Sequence, residues 1–243
     1  MPSFVRRPVG PLVGKIAVGF MVLVGAVLLA GGYFESRPYA LAPGTARGRL
    51  AAVYWSGDMG MRLGVGQGVV DALTARGIPV LSVSSPMLFG QARDRAFVDD
   101  AVADSVRTAL ERTGAAQVVV IGNSFGADIV GAGLGRVPSD LRRQIASVVL
   151  MVPGNDVYFH ANPIGIWYRG PVAADPVHTI PLLRGLPVTC IYGTEESGSL
   201  CRAPVMLTAS RVPIADGHLM LWSTDQLHAA VVDAVFHPPS PIQ

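Results

Sequence analysis

Val118-Val119-Val120-Ile121-Gly122-Asn123-Ser124-Phe125-Gly126-Ala127-Asp128 constrains the fold more than any other stretch of this chain. Four β-branched residues in a row read as a strand buried on both faces. They run into Gly-x-Ser-x-Gly, and small residues suited to a helix follow. A strand that turns sharply into a helix puts Ser124 at the apex, in a strained backbone conformation. Gly122 and Gly126 let neighbouring backbones approach where a side chain would clash. At a helix N-terminus the serine has the positive end of the helix dipole beneath it. The same pattern also occurs as a glycine-rich turn with no chemistry, so the rest of the chain must supply the partners.

The chain has 243 residues, half of them hydrophobic, enough for one domain with a sizeable core. The formal charge of +2 is uneven along the sequence. Arg6, Arg7 and Lys15 precede the first long apolar run and no acid accompanies them. Removing those three of 19 bases leaves sixteen against 17 acids. A body so nearly neutral has no basic field to hold nucleic acid.

Ile16 to Phe34 carries no charge. As a helix it would extend about 28 Å, close to the hydrocarbon thickness of a bilayer. The basic residues on its N-terminal side favour cytoplasm for that end and export for the remainder. A secretory signal has a shorter apolar region with a small-residue cleavage site close behind it. Ala40-Leu41-Ala42 fits such a site but comes late, after Glu35, Ser36 and Arg37. An uncleaved anchor is therefore preferred, with cleavage and release as the alternative. Cys190 and Cys201 are the only cysteines. In an oxidising compartment they can pair and close a short loop, stabilising the fold by about 3 kcal/mol.

Tyr39 to Gly48 reads as a Pro/Gly/Arg linker. Strands are expected at Leu50–Trp55, Ile78–Val83, Val118–Ile121, Ala146–Val152, Val188–Tyr192 and Arg211–Ile214. Helices are expected over Val65–Arg76, Ala96–Arg112, Asp128–Leu134 and from the capping box Ser223-Thr224-Asp225-Gln226 onward. Ser84 to Asp94 reads as loop. Pro153 to Pro187 breaks the alternation, with six prolines and an aromatic cluster of Tyr158, Phe159, Trp167 and Tyr168. A segment this long is a lid, a binding segment or disorder. The tail from Pro238 is expected to fray. Alternating strands and helices from Leu50 to Phe236 predict an α/β fold with a doubly wound, mostly parallel sheet. Sites in such folds form at the C-terminal edge of the strands.

A serine nucleophile needs a base and an orienting acid, in the chain order serine, acid, histidine for a strand–serine–helix turn. His218, just after the last strand, is the expected base; His160, His178, His228 and His237 are worse placed. The acid should follow Val188–Tyr192. Glu196 is preferred, with Glu195 and then Asp156 as alternatives. The oxyanion hole would use the N–H of Phe125 and a second from the loop after the first strand, at Asp58 or Met59. Asp58 is unusual there, and either caps the following helix or meets a cationic group. Neither a cofactor nor a metal is called for.

Tyr54-Trp55-Ser56-Gly57-Asp58, Gly122 to Asp128, Cys190-Ile191-Tyr192-Gly193-Thr194-Glu195-Glu196 through Cys201, and Gly217-His218 occur in this order. Together they resemble the bacterial virulence protein family of VirJ and AcvB over roughly Leu50 to Phe236. The resemblance implies an α/β-hydrolase fold and a periplasmic location. It makes Ser124 the nucleophile and His218 the base and implies that Asp58 and Asp128 belong to the family's motifs; Asp58, Asn123 and Asp128 are the substrate-binding candidates. AcvB-like members are implied to hydrolyse lysyl-phosphatidylglycerol, and VirJ-like members are linked to type IV secretion. Asn123 stands where the family usually has Tyr, Leu219 where it has a second histidine, and Met59-Gly60-Met61 where it has a Gly-Gly-Trp-like run. The expected organisation is an anchor over 1–36, a linker over 37–49, the hydrolase domain over 50–237 and a tail over 238–243. The expected activity is that of a serine esterase held on the inner membrane and acting on a membrane lipid or another ester. Two other readings stand beside it: a non-catalytic periplasmic binding or chaperone protein, and a general lipase or thioesterase.

Overall fold

The computed structural model describes residues 10–45, 48–162, 168 and 170–243. Arg6, Arg7 and Trp167 lie outside them. In chain order the elements are α1 (Gly10–Ala30), β1 (Tyr39–Ala42), β2 (Leu50–Trp55), α2 (Gly66–Thr74), β3 (Val80–Val83), α3 (Ser85–Phe89), α4 (Arg95–Thr113) and β4 (Gln117–Asn123). Then follow α5 (Phe125–Gly133), α6 (Ser139–Arg142), β5 (Ile145–Met151), α7 (Pro176–Thr179), β6 (Val188–Gly193), β7 (Ser210–Ile214) and α8 (Thr224–Phe236). The strands form one seven-stranded sheet in the order β1-β3-β2-β4-β5-β6-β7. Every pairing is parallel except β1 with β3.

Side chains alternate across a strand, so each strand feeds two cores. In β2, Ala51, Val53 and Trp55 pack with α4 and α5, while Ala52 and Tyr54 pack with α2 and α8. The β-branched run of β4 divides the same way, Val118 and Val120 to one face and Val119 and Ile121 to the other. Helices on both faces make the sheet doubly wound. Its strand order reverses between β2 and β4. That switch point is where the loops after the two strands part and leave a crevice at their C-terminal ends.

Several boundaries differ from the sequence expectation. The linker expected over Tyr39–Gly48 contributes β1, whose four residues pair along the edge of β3. The loop expected over Ser84–Asp94 begins with α3, which has Pro86 in its first turn. The helix expected from Asp128 starts at Phe125, directly after the serine. Ser223 makes no side-chain cap on α8; its own N–H and that of Trp222 instead donate to the Asp216 carboxylate at 2.9 Å each. The tail does not fray: Ile242 is buried and exchanges backbone hydrogen bonds with Gly185 and Leu186, both at 2.9 Å. The described part of Pro153–Pro187 is a packed segment, with Val157, Phe159, Ala161, Ala174, Ile180 and Leu183 in the core.

Val13–Ala30 is apolar and long enough to cross a membrane, and none of it is buried against the rest of the chain. At its far end Gly31 and Gly32 are buried.

Candidate active site

β4 ends and α5 begins with only Ser124 between them, so that residue takes the whole change of direction. Its φ is 50° and ψ −120°, a region that an L-residue enters only when its surroundings hold it there. The glycines on either side show why the turn is possible. A Cβ at Gly122 would lie 2.5 Å from the Ala127 Cα, and one at Gly126 would lie 2.5 Å from the carbonyl oxygens of both Trp55 and Ser56. The turn is pressed onto the end of β2 and tolerates no side chain at either place. The Ser124 N–H donates to the Met151 carbonyl at 2.8 Å, which fixes the apex to β5.

The structure brings Ser124, His218 and Glu196 together. Ser124 Oγ lies 2.9 Å from His218 Nε2, and His218 Nδ1 lies 2.6 Å from Glu196 Oε1. His218 is half-exposed, whereas the Glu196 side chain is largely covered. Its other oxygen is buried, with no hydrogen-bond partner among the described residues. With a carboxylate oxygen against Nδ1, the ring's other nitrogen, Nε2, faces the serine hydroxyl, the arrangement in which a histidine can take a serine's proton.

The loop carrying Glu196 is stapled from below. Cys190 in β6 and Cys201 are disulfide-bonded, with Cα atoms 5.5 Å apart. Arg202 donates to the Thr194 carbonyl at 2.5 Å. The two alternative acids lie elsewhere: Glu195 is exposed, and Asp156 is exposed beside the site without reaching His218. Asp216 is buried and spent on three backbone N–H groups of its own loop, those of Gly217, Trp222 and Ser223. Among the remaining histidines, His178 and His237 face Asp175 and Asp233 on the surface, His160 is exposed, and His228 packs against Gly68.

Phe125 opens α5, so its N–H has no carbonyl one turn back to bond. Among the described residues no acceptor takes up the N–H of Phe125, Asp58 or Met59. Asp58 and Met59 line, with Asn123, Ser124 and His218, a mostly apolar cavity of about 500 Å³. A second cavity of about 460 Å³ opens on the other side of Ser124 and His218, and carries Asp58, Asp128, Asp156, Tyr158 and Tyr168.

Asp58 does not cap the helix after it. Its carboxylate accepts from the Asn162 N–H at 2.9 Å and from the Tyr168 hydroxyl at 2.5 Å, tying the Pro153–Pro187 segment to the site. Tyr168 is sandwiched between Phe125 and Tyr158, with ring centroids 6.4 and 4.7 Å away and nearly parallel planes. Burial pushes the Asp58 carboxyl up to about 6, against the pull of those two hydrogen bonds. Asp128 accepts from the Gly154 N–H at 2.8 Å. Burial first, then the neighbouring Asp58, Glu196 and Asp156, raise its carboxyl well above the usual range. The role of Asp58 was not readable from sequence because its partners are 104 and 110 residues away. The aromatic cluster was the available signal.

Strain is concentrated here. Besides Ser124, the non-glycine residues at positive φ among those described are Val152 (45°) and Met220 (52°). Val152 lines the apolar cavity and Met220 follows His218 by two residues.

Sheet order, the turn at Ser124 and the position of His218 together define the α/β-hydrolase fold, and solved structures of that fold are similar to this one. Est1E from Butyrivibrio proteoclasticus, with ferulic acid bound, superposes with a TM-score of 0.59 at 13% identity, over 82% of this chain and 94% of that one. An alpha-beta serine hydrolase homologue from Coxiella burnetii gives 0.55 at 12% identity, over 81% and 90%. The thioesterase domain from the curacin biosynthetic pathway gives 0.55 at 12% identity, over 80% and 94%. Among curated protein sequences, none matches. The chain belongs to the bacterial virulence protein (VirJ) family, whose profile matches residues 49–237.

Proposed function

We propose that this protein is a serine ester hydrolase, held on the outer face of the inner membrane by α1, with Ser124, His218 and Glu196 as its triad. The observation that carries the reading is the unbroken chain from Ser124 Oγ to His218 Nε2 at 2.9 Å and from His218 Nδ1 to Glu196 at 2.6 Å, on a serine held at φ 50°. Ser124 Oγ attacks the ester carbonyl while His218 Nε2 takes its proton. Glu196 steadies the imidazolium that forms. The oxyanion is met by the Phe125 N–H and by that of Asp58 or Met59. When the intermediate collapses, His218 returns the proton to the departing alcohol. Water, deprotonated by the same histidine, then releases the acid and restores Ser124. The export reading is supported by the apolar α1 and by the disulfide, which suits an oxidising compartment.

The substrate we infer is an aminoacyl ester of a phospholipid. Asp58 and Asp156 line the second cavity beside Tyr158 and Tyr168, so that cavity favours an ammonium group on the acyl side. The apolar cavity across Ser124 suits the lipid alcohol that leaves. Replacing Ser124→Ala in cells is expected to let an aminoacyl phospholipid accumulate in total lipid extracts, and purified protein should release free amino acid from vesicles containing lysyl-phosphatidylglycerol. An unchanged lipid profile together with no release from vesicles would remove this substrate.

A further inference from the structure

The direction of the chain places the apolar helix at the catalytic edge of the sheet. β1 is antiparallel to β3, with Tyr39 opposite Val83 at the C-terminal end of β3. The chain therefore joins α1 to the sheet on the edge where β2 and β4 end, the edge of Ser124. Contacts confirm the proximity. A Cβ at Gly60 would lie 2.3 Å from the Gly31 carbonyl oxygen, and the Tyr33 hydroxyl donates to the Asp58 carbonyl at 3.1 Å. Arg62 stands 3.8 Å from Glu35. Asp58 and Gly60 line the apolar cavity. The segment Gly31–Glu35, directly after α1, thus forms part of the support of that cavity's rim.

Leu219 also lines the cavity. From there the chain runs Leu219-Met220-Leu221-Trp222. Met220 is buried, whereas Leu219, Leu221 and Trp222 are 61%, 56% and 91% exposed. The loop is held in place: the buried Asp216 carboxylate takes the N–H groups of Gly217, Trp222 and Ser223. Large apolar side chains presented on a fixed loop are not needed by the domain's own core, and such patches mark contact surfaces. Trp in particular is favoured where hydrocarbon meets water. Phe34, 68% exposed, adds to the apolar surface on the helix side.

We propose that the Leu219–Trp222 loop is a second membrane contact, which with the end of α1 seats the mouth of the apolar cavity against the bilayer. A lipid ester then enters the cavity from the membrane without crossing water. The catalytic consequence rests on the ester-hydrolase reading above; the contact itself does not.

The test uses the full chain in phosphatidylglycerol/phosphatidylethanolamine vesicles, with acyl chains either plain or brominated near the headgroup. Brominated chains should quench a component of tryptophan emission in the wild type that is missing in Trp222→Phe. Equal quenching in the two proteins would overturn the contact and favour a protein partner for the loop. The double variant Leu221→Asp/Trp222→Asp should cleave a vesicle-held ester about tenfold more slowly. It should cleave a water-soluble short-chain ester within about twofold of wild type, since neither residue lines the cavity. Equal loss on both substrates, or none on either, would overturn the seating. If the wild type cleaves no ester at all, the hydrolase reading fails, while the quenching comparison still decides whether the loop meets lipid.

Discussion

Ser124 occupies a backbone region that costs of order 1–3 kcal/mol, and the flanking glycines and the bond to Met151 are what maintain it. The energetics of Asp58 also run against stability. Its carboxyl is raised to about 6 by burial, so the folded state holds a proton there that the unfolded chain has already released above about pH 4. Stability from this group therefore falls as pH rises from about 4 through 6, by up to about 3 kcal/mol, and Asp128 acts in the same direction. Asp58→Asn keeps an oxygen for Asn162 and Tyr168 but cannot ionise. The variant should melt higher than wild type at pH 8 and show a smaller difference at pH 4.5. A wild-type melting temperature no more pH-sensitive than the variant's would contradict this.

Among the elements, the loop between β6 and β7 depends on the Cys190–Cys201 bridge because Glu196 lies within the ring it closes. Replacing both cysteines with serine is expected to lower stability by about 3 kcal/mol. It should also lower kcat more than it raises KM, since the carboxylate would no longer be held to His218; a double variant with wild-type melting would show that the bridge carries no load. This loop was legible in the sequence. Two cysteines eleven residues apart, a glycine ending an apolar strand and an acid three residues on are all local signals. So was β4, where Val118 to Ile121 declare a strand buried on both faces. β1 was not legible, because Tyr39-Ala40-Leu41-Ala42 lies between prolines and takes its strand character from β3. The early start of α5 was hidden by Gly126, a poor helix former that is there because Trp55 and Ser56 leave no room for a Cβ. The missing cap on α8 has the same origin in distant structure: Asp216 takes the Ser223 N–H that a capping box would give to the Gln226 side chain.

Across the whole molecule, the sheet sets one direction for everything that matters. The C-terminal ends of β2, β4 and β7 carry the loops with Asp58, Ser124 and His218, and the chain leaves toward α1 from the same edge. Family membership covers residues 49–237, so α1 and β1 lie outside the matched region. All of this has catalytic meaning only if Ser124 is a nucleophile activated by its neighbours. The decisive measurement is the intact mass of the folded full-length protein after exposure to a fluorophosphonate, with Ser124→Ala and Glu196→Gln alongside. The wild type should gain one phosphonyl group, mapped to Ser124; Ser124→Ala should gain none, and Glu196→Gln should react on the order of a thousandfold more slowly. No adduct on folded wild-type protein, or equal labelling of the wild type and Ser124→Ala, would contradict a serine hydrolase at this site.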